Sequence, residues 1–190
     1  MDDTNGRTRL RDLLVERSVR LGEFTLSSGA RSNYYVDARR TTMSAEGQFL
    51  AGKVGFGLLR DSGLDITHVG GLTMGADPVA YAVAHRSWLE GRPLDGFSVR
   101  KEPKGHGTGE RVEGGVPEGA RCVVVEDTVT TGVSALDAIA ALREHGARVV
   151  AVLTLVDRQE GGRQRLEAED LPVLSVFTGE ELVAAARAAP

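Results

Sequence analysis

Apolar residues alternate along the chain between helical and strand-like spacing. Leu10, Leu13, Leu14, Val15, Val19 and Leu21 recur at roughly helical intervals and predict an amphipathic helix over residues 7–21. "EFTLSSGARSNYYVDAR" reads as a strand, a turn centred on Ser28-Gly29 and a second strand, "NYYVDA". A helix is expected over residues 44–60, with Ser44 as N-cap and Gly63 near its end. Gly52, Gly55 and Gly57 either weaken its middle or permit close packing there. "ITHVGG" and "FSVRK" predict short strands around a helix that starts in "GADPVAYAVAHRSW". "RCVVVE" and "VVAVLTLV" flank the helix "VSALDAIAALREHG", which closes on Gly146. Near-continuous apolar strands joined by a helix form a βαβ unit, so the expected fold is α/β with an open, mainly parallel sheet flanked by helices.

One segment breaks this rhythm. "EPKGHGTGERVEGGVPEG", residues 102–119, holds six glycines and two prolines and almost no apolar residue. Such a stretch buries little surface and is expected to be a long mobile loop, a common form for an active-site lid. The remainder reads as a single domain over residues 1–190, with residues 1–40 contributing a small N-terminal hood.

Composition narrows the function classes. The net charge is −4, against general nucleic-acid binding, which calls for a basic surface. The single cysteine, Cys122, lies among valines and is expected to be a buried strand residue; alone it forms no internal disulfide and no multi-cysteine zinc site. The charged N-terminus lacks the apolar core of a signal peptide, and no apolar run approaches membrane-spanning length. The expected location is cytoplasmic, with no membrane partner.

The chemistry concentrates in "CVVVEDTVTTGVS", Cys122 to Ser134. A strand, a polar loop and a helix suit phosphate binding, because amides at a helix N-terminus point outward and the helix dipole favours an anion. Thr130, Thr131 and Ser134 add hydroxyl donors, and Gly132 lets the backbone come close. The segment lacks the Gly-Lys-Ser/Thr of a Walker A loop and is no G-x-G-x-x-G turn. Glu126 and Asp127 would repel a bare anion but accept hydrogen bonds from the cis-diol of a sugar phosphate. A receiver-like or metal-binding acidic strand end, or an N-cap beside chance acids, are the alternatives that the residue types leave open.

"VVVEDTVTTGVS" resembles the phosphoribosyl-pyrophosphate (PRPP) motif of the type I phosphoribosyltransferases. "FTLSSGARSNYYVDAR", "GGLTMGADPVA", "VRKEPKGHGTGERVEG" and "VDRQEGG" are similar, in order and spacing, to the hood, pyrophosphate loop, lid and base-contacting segment of the orotate phosphoribosyltransferases within that family. The resemblance implies transfer of phosphoribose from PRPP to N1 of orotate, giving orotidine 5′-monophosphate and pyrophosphate in pyrimidine biosynthesis. It assigns Glu126 and Asp127 to the ribose hydroxyls, the loop Thr128, Val129, Thr130, Thr131, Gly132, Val133 and Ser134 to the 5′-phosphate, and Thr130 also to orotate. Arg158 would pair with the orotate carboxylate, and Tyr34 and Tyr35 would stack on the pyrimidine or offer it backbone groups. Arg100, Lys101, Lys104 and His106 would contact PRPP. Lys101, Lys104 and His106, with Asp127, are the expected catalytic residues. Mg²⁺ is the implied cofactor, carried by PRPP with no direct protein ligand expected.

Cations that arrive only on lid closure would stabilise the charge that develops on the leaving pyrophosphate, while excluding water from an oxocarbenium-like centre. The resemblance also implies a homodimer in which Lys101, Lys104 and His106 reach the neighbouring subunit's site and Arg100 serves its own. The sequence departs from some members at Ser27 and Met74, where they carry lysine, with Arg31 or Arg39 as candidate substitutes. Val133 replaces a small residue, and its β-branch requires ordinary backbone angles there. His68 and His85 lie away from these motifs and are expected to be structural or exposed. A paralogue for another base and a PRPP-sensing regulator without turnover are the competing functions.

Overall fold

The structure, a computed structural model, describes residues 3–25, 31–102 and 110–189. Helix α1 (Asp3–Arg17) buries Leu10, Leu13 and Leu14 completely. It ends earlier than the apolar spacing suggests, because Val19 and Leu21 belong to β1 (Val19–Thr25). Spacings of two and of three to four residues overlap in so short a run, and pairing decides between them. Strand β1 is antiparallel to β2 (Arg31–Val36), with Val19 opposite Val36. This two-stranded sheet is the hood. The buried Ser18 anchors it: its carbonyl accepts from the Asp37 amide at 3.0 Å and its hydroxyl meets that of Thr41 at 2.8 Å. Thr41 lies on the short helix α2 (Arg39–Thr42).

Helix α3 (Ala45–Asp61) opens on Ser44, whose Oγ accepts from the Gly47 amide at 3.1 Å. Gly52 is a packing residue: a Cβ there would stand 2.5 Å from the Ala82 carbonyl oxygen on α4 (Asp77–Leu89), so the two helices approach to backbone contact. Strand β3 (His68–Leu72) precedes α4, and β4 (Asp95–Val99) follows it. Within the segment 102–119, expected to be a long mobile loop, lies a short strand, β5 (Val112–Glu113), antiparallel to β4, and both Val112 and Val116 are buried. These two valines were too sparse to signal a strand from sequence, yet they give this end of the loop a fixed root.

The remaining elements are β6 (Arg121–Val129), α5 (Val133–Glu144), β7 (Arg148–Asp157), α6 (Gly162–Glu167), β8 (Val173–Thr178) and α7 (Gly179–Ala188). The main sheet has the order β5-β4-β3-β6-β7-β8 and is parallel except for β5. Val123 and Val125 of β6 face one core with α1, α3, α4 and α7, while Cys122 and Val124 face a second with α5 and α6. That alternation explains the unbroken apolar run: the strand is covered on both faces. From β3 the chain crosses to β4 on one side, and from β6 to β7 on the other. The carboxyl ends of β3 and β6 therefore flank a topological switch point, where a crevice opens.

Candidate active site

A cleft of about 1070 Å³ occupies that crevice. Its walls are the hood (Thr25, Tyr35–Arg39), the turn after β3 (Leu72–Gly75), Lys101, the end of β6 with the following loop (Glu126–Thr128, Thr130, Thr131, Val133, Ser134) and Arg158. Among the described residues its lining holds three acids, Asp37, Glu126 and Asp127, and three cations, Arg39, Lys101 and Arg158. Such a surface suits a polar ligand that carries both hydroxyl groups and negative charge.

The acidic floor is desolvated. Glu126 is 7% exposed, and burial followed by the charge of Asp127 pushes its carboxyl up to about 8. Its Oε1 and the Thr128 hydroxyl are buried without a protein hydrogen-bond partner. Polar atoms orphaned in this way at a cleft floor await a ligand or water. Burial also raises the Asp127 carboxyl, opposed by the Thr128 amide and the positive charge of Arg39.

Beyond the floor, the chain turns into α5. Gly132 takes the left-handed conformation at φ 78° as the N-cap, and Val133 enters the helix with ordinary angles, as its β-branch requires. The Leu136 amide is the first to bond within α5, onto Gly132 at 3.0 Å, so the amides just before it face outward. The loop is braced from behind, since the Gly162 amide donates to the Thr130 carbonyl at 3.0 Å. The result is a braced loop at a helix N-terminus, a form suited to an anion.

Arg158 is 5% exposed and held from several sides. Its guanidinium donates to Ser32 Oγ at 3.0 Å, pairs with Glu160 at 2.7 Å and lies over the Tyr34 ring. The buried Asp157 shapes the turn beneath it, accepting from the Gln159 amide and from Arg163 at 2.8 Å each.

The phosphoribosyl transferase domain family matches residues 56–178 of the chain. Over 183 residues the sequence is 50% identical to the orotate phosphoribosyltransferase of Streptomyces avermitilis, covering 96% of this chain and 98% of that one. Identity to the Aquifex aeolicus orotate phosphoribosyltransferase is 46% over 180 residues, or 93% and 97% of the two chains. The Mycobacterium tuberculosis orotate phosphoribosyltransferase, solved in complex with PRPP, superposes with a TM-score of 0.77 at 42% identity, covering 94% of this chain and 99% of that one. The chain belongs to the orotate phosphoribosyltransferase family.

Most residues singled out by resemblance to the orotate phosphoribosyltransferases converge on the cleft. Tyr35, Lys101, Glu126, Asp127, Thr128, Thr130, Thr131, Val133, Ser134 and Arg158 line it. Val129 is buried in the second core instead, and Gly132 shapes the loop from within. Tyr34 points to the other face of β2 and supports Arg158. Arg100 is turned away into an ion pair with Glu113 at 2.8 Å, and its backbone is clasped to Arg111 across the base of the lid. Lys101 lines the cleft of its own chain. Lys104, His106 and Ser27 fall outside the described residues.

Of the two candidate substitutes for the absent lysines, Arg39 lines the cleft and is oriented by Asp37 at 3.0 Å, whereas Arg31 lies elsewhere on the hood. His68 is buried against Thr67 and His85 is exposed, both away from the cleft. Thr25, Asp37 and Thr73 also line the cleft, although sequence reasoning assigns none of them an individual role. Each lies within a segment that resembles the family, and Thr25 and Asp37 reach the cleft because the hood folds over the sheet.

Proposed function

We propose that this protein transfers the 5-phosphoribosyl group of PRPP to N1 of orotate, releasing pyrophosphate and forming orotidine 5′-monophosphate. The observation that carries this reading is the pairing of two desolvated carboxylates with an anion cradle at one strand end, the complement of a ribose 5-phosphate. Glu126 and Asp127 accept from the ribose hydroxyls, and the Thr130–Ser134 loop holds the 5′-phosphate. Arg158 receives the orotate carboxylate, a charge-assisted role suited to a guanidinium fixed in place.

Transfer breaks the bond from C1′ to pyrophosphate oxygen and makes the bond from C1′ to N1, while the orotate N1 proton passes to water or to the released pyrophosphate. Arg39 and Lys101 are the cleft cations that face growing charge on the leaving group, and Lys104 and His106 join them on lid closure. Among the described residues no cluster of three His, Cys, Asp or Glu side chains could hold a metal ion. Mg²⁺ would come with PRPP and neutralise pyrophosphate charge, and the buried, unpartnered Glu126 Oε1 is an oxygen donor of the kind such an ion or its waters would use. In this reading the protein works as a homodimer, with lid residues completing the partner's cleft. Among the described residues, no helix is long and apolar enough to cross a membrane.

The test is orotate consumption followed by ultraviolet absorbance with PRPP and Mg²⁺, beside uracil, hypoxanthine and no-base controls. Turnover with orotate alone is expected. Turnover with another base, or none while PRPP still binds, would replace this reading by that of a paralogue or a sensor.

A further inference from the structure

Behind the turn that follows β3 lies a chain of hydrogen bonds that none of the assigned roles uses. The Thr73 hydroxyl donates to Asp77 Oδ2 at 2.6 Å, and the Ser98 hydroxyl donates to Asp77 Oδ1 at 2.5 Å. The Tyr81 hydroxyl meets Ser98 Oγ at 2.7 Å. A carboxylate only accepts, so both neighbouring hydroxyls must point their protons at Asp77. Ser98 has then used its one proton, and Tyr81 must donate to it. The proton directions run one way, from Tyr81 through Ser98 to Asp77, with Thr73 arriving from the other side.

The positions of these residues give the chain a consequence. Thr73 opens the turn Thr73–Gly75 that forms one wall of the cleft, and its amide is also bonded to the Val99 carbonyl at 2.9 Å. Ser98 lies on β4, three residues before Lys101, where the strand runs into the lid. Asp77 is the first residue of α4, next to a helix N-terminus that favours its charge. One carboxylate thus ties together a cleft wall and the root of the lid.

Resting on the phosphoribosyl-transfer reading, we propose that Asp77 is a positioning residue: it fixes the Thr73–Gly75 turn against β4, so that this wall and Lys101 meet the pyrophosphate of PRPP in register. It touches no substrate itself. Its loss loosens the pyrophosphate end of the cleft while leaving the orotate end, built on Arg158 and Tyr34, unaffected.

Thr73→Val, Asp77→Ala and Ser98→Ala are compared by PRPP and pyrophosphate calorimetry, by KM for each substrate and by thermal melting. Removing hydrogen bonds to a charged group is expected to weaken PRPP and pyrophosphate binding by about tenfold, with KM for orotate within about twofold of the parent. Thr73→Ser, which keeps the hydroxyl, is expected to restore PRPP affinity. The double variant Thr73→Val/Asp77→Ala is expected to bind PRPP no worse than Asp77→Ala alone. PRPP affinity unchanged in folded Thr73→Val or Asp77→Ala would overturn the proposal, as would equal losses for orotate and PRPP. Should Asp77→Ala fail to fold, Thr73→Val and Ser98→Ala decide by the same criteria. Calorimetry needs no turnover, so failure of the orotate assay in the parent protein is distinguishable from failure of this inference.

Discussion

The Arg158 guanidinium carbon lies 4.5 Å from the centre of the Tyr34 ring, while Tyr35, next in the strand, faces the cleft. Adjacent tyrosines therefore divide two tasks, one supporting the cation and the other lining the cleft. Cation–π support of a desolvated guanidinium is worth about 1–2 kcal/mol. Tyr34→Ala is accordingly expected to raise KM for orotate by about five- to tenfold, leaving KM for PRPP near its parent value. Tyr34→Phe keeps the ring and is expected to behave as the parent. Steady-state kinetics with each substrate varied in turn checks both.

Much of this site was legible because its signals are local. Cys122 to Ser134 carries strand, acids, loop and helix start in one stretch, and the structure folds it with those elements in that order. The division between Tyr34 and Tyr35 was not legible, because it depends on which face of β2 meets the body of the protein. The position of Arg100 was not legible either: Glu113 arrives through the β4–β5 pairing and holds it in an exposed ion pair, outside the cleft lining. Arg39 was separable from Arg31 only by tertiary geometry. The extra strand β5 rests on two buried valines in a glycine-rich stretch, too weak a pattern to outweigh its composition.

The raised carboxyl of Glu126 makes stability depend on pH with a definite sign. A glutamate in the unfolded chain titrates near 4.3, whereas in the fold this one titrates at about 8. Between those values the folded state holds a proton that the unfolded chain has released. Its contribution to stability is greatest below the unfolded value, falls as pH rises through the window and levels off above about 8. At about 1.4 kcal/mol per unit, a few kcal/mol are at stake. Glu126→Gln is expected to flatten this part of the profile, as measured by urea unfolding from pH 5 to 9.

The same group links binding to protons. A ribose hydroxyl that donates to Glu126 favours its ionised form, so PRPP binding near pH 7 is expected to release protons. Calorimetry in two buffers of different ionisation enthalpy reads the number released. Identical heats in both buffers would remove Glu126 from the ribose contacts.

Gly132 holds the loop before α5 in a conformation that side chains resist. At φ 78°, an added Cβ would also approach the Gly162 carbonyl oxygen to 3.1 Å. Gly132→Ala is expected to cost about 1–2 kcal/mol of stability. It should also weaken binding of PRPP and of ribose 5-phosphate together, because both share the 5′-phosphate. Pyrophosphate, which the proposed function puts at the other end of the cleft, is expected to bind as before. Loss of all three affinities in parallel would mean that the substitution disturbs the whole cleft rather than the loop.

Lid sharing between subunits can be separated from catalysis within one chain. Lys101 lines its own cleft, so it is a poor reporter of sharing, whereas Lys104 lies farther along the lid. Lys104→Ala alone and Asp127→Asn alone are each expected to lower turnover strongly, the first by weakening leaving-group stabilisation and the second by altering a ribose contact. If lids are exchanged, a hybrid dimer of the two contains one cleft with both defects and one with neither. Mixing equal amounts after confirmed subunit exchange puts half of the dimers in hybrid form and restores one intact cleft in each. Recovered activity is therefore expected to approach about one quarter of the parent's per active-site equivalent, on the reasoning for a symmetric pair with exchanged elements. Absence of recovery would assign each lid to its own subunit.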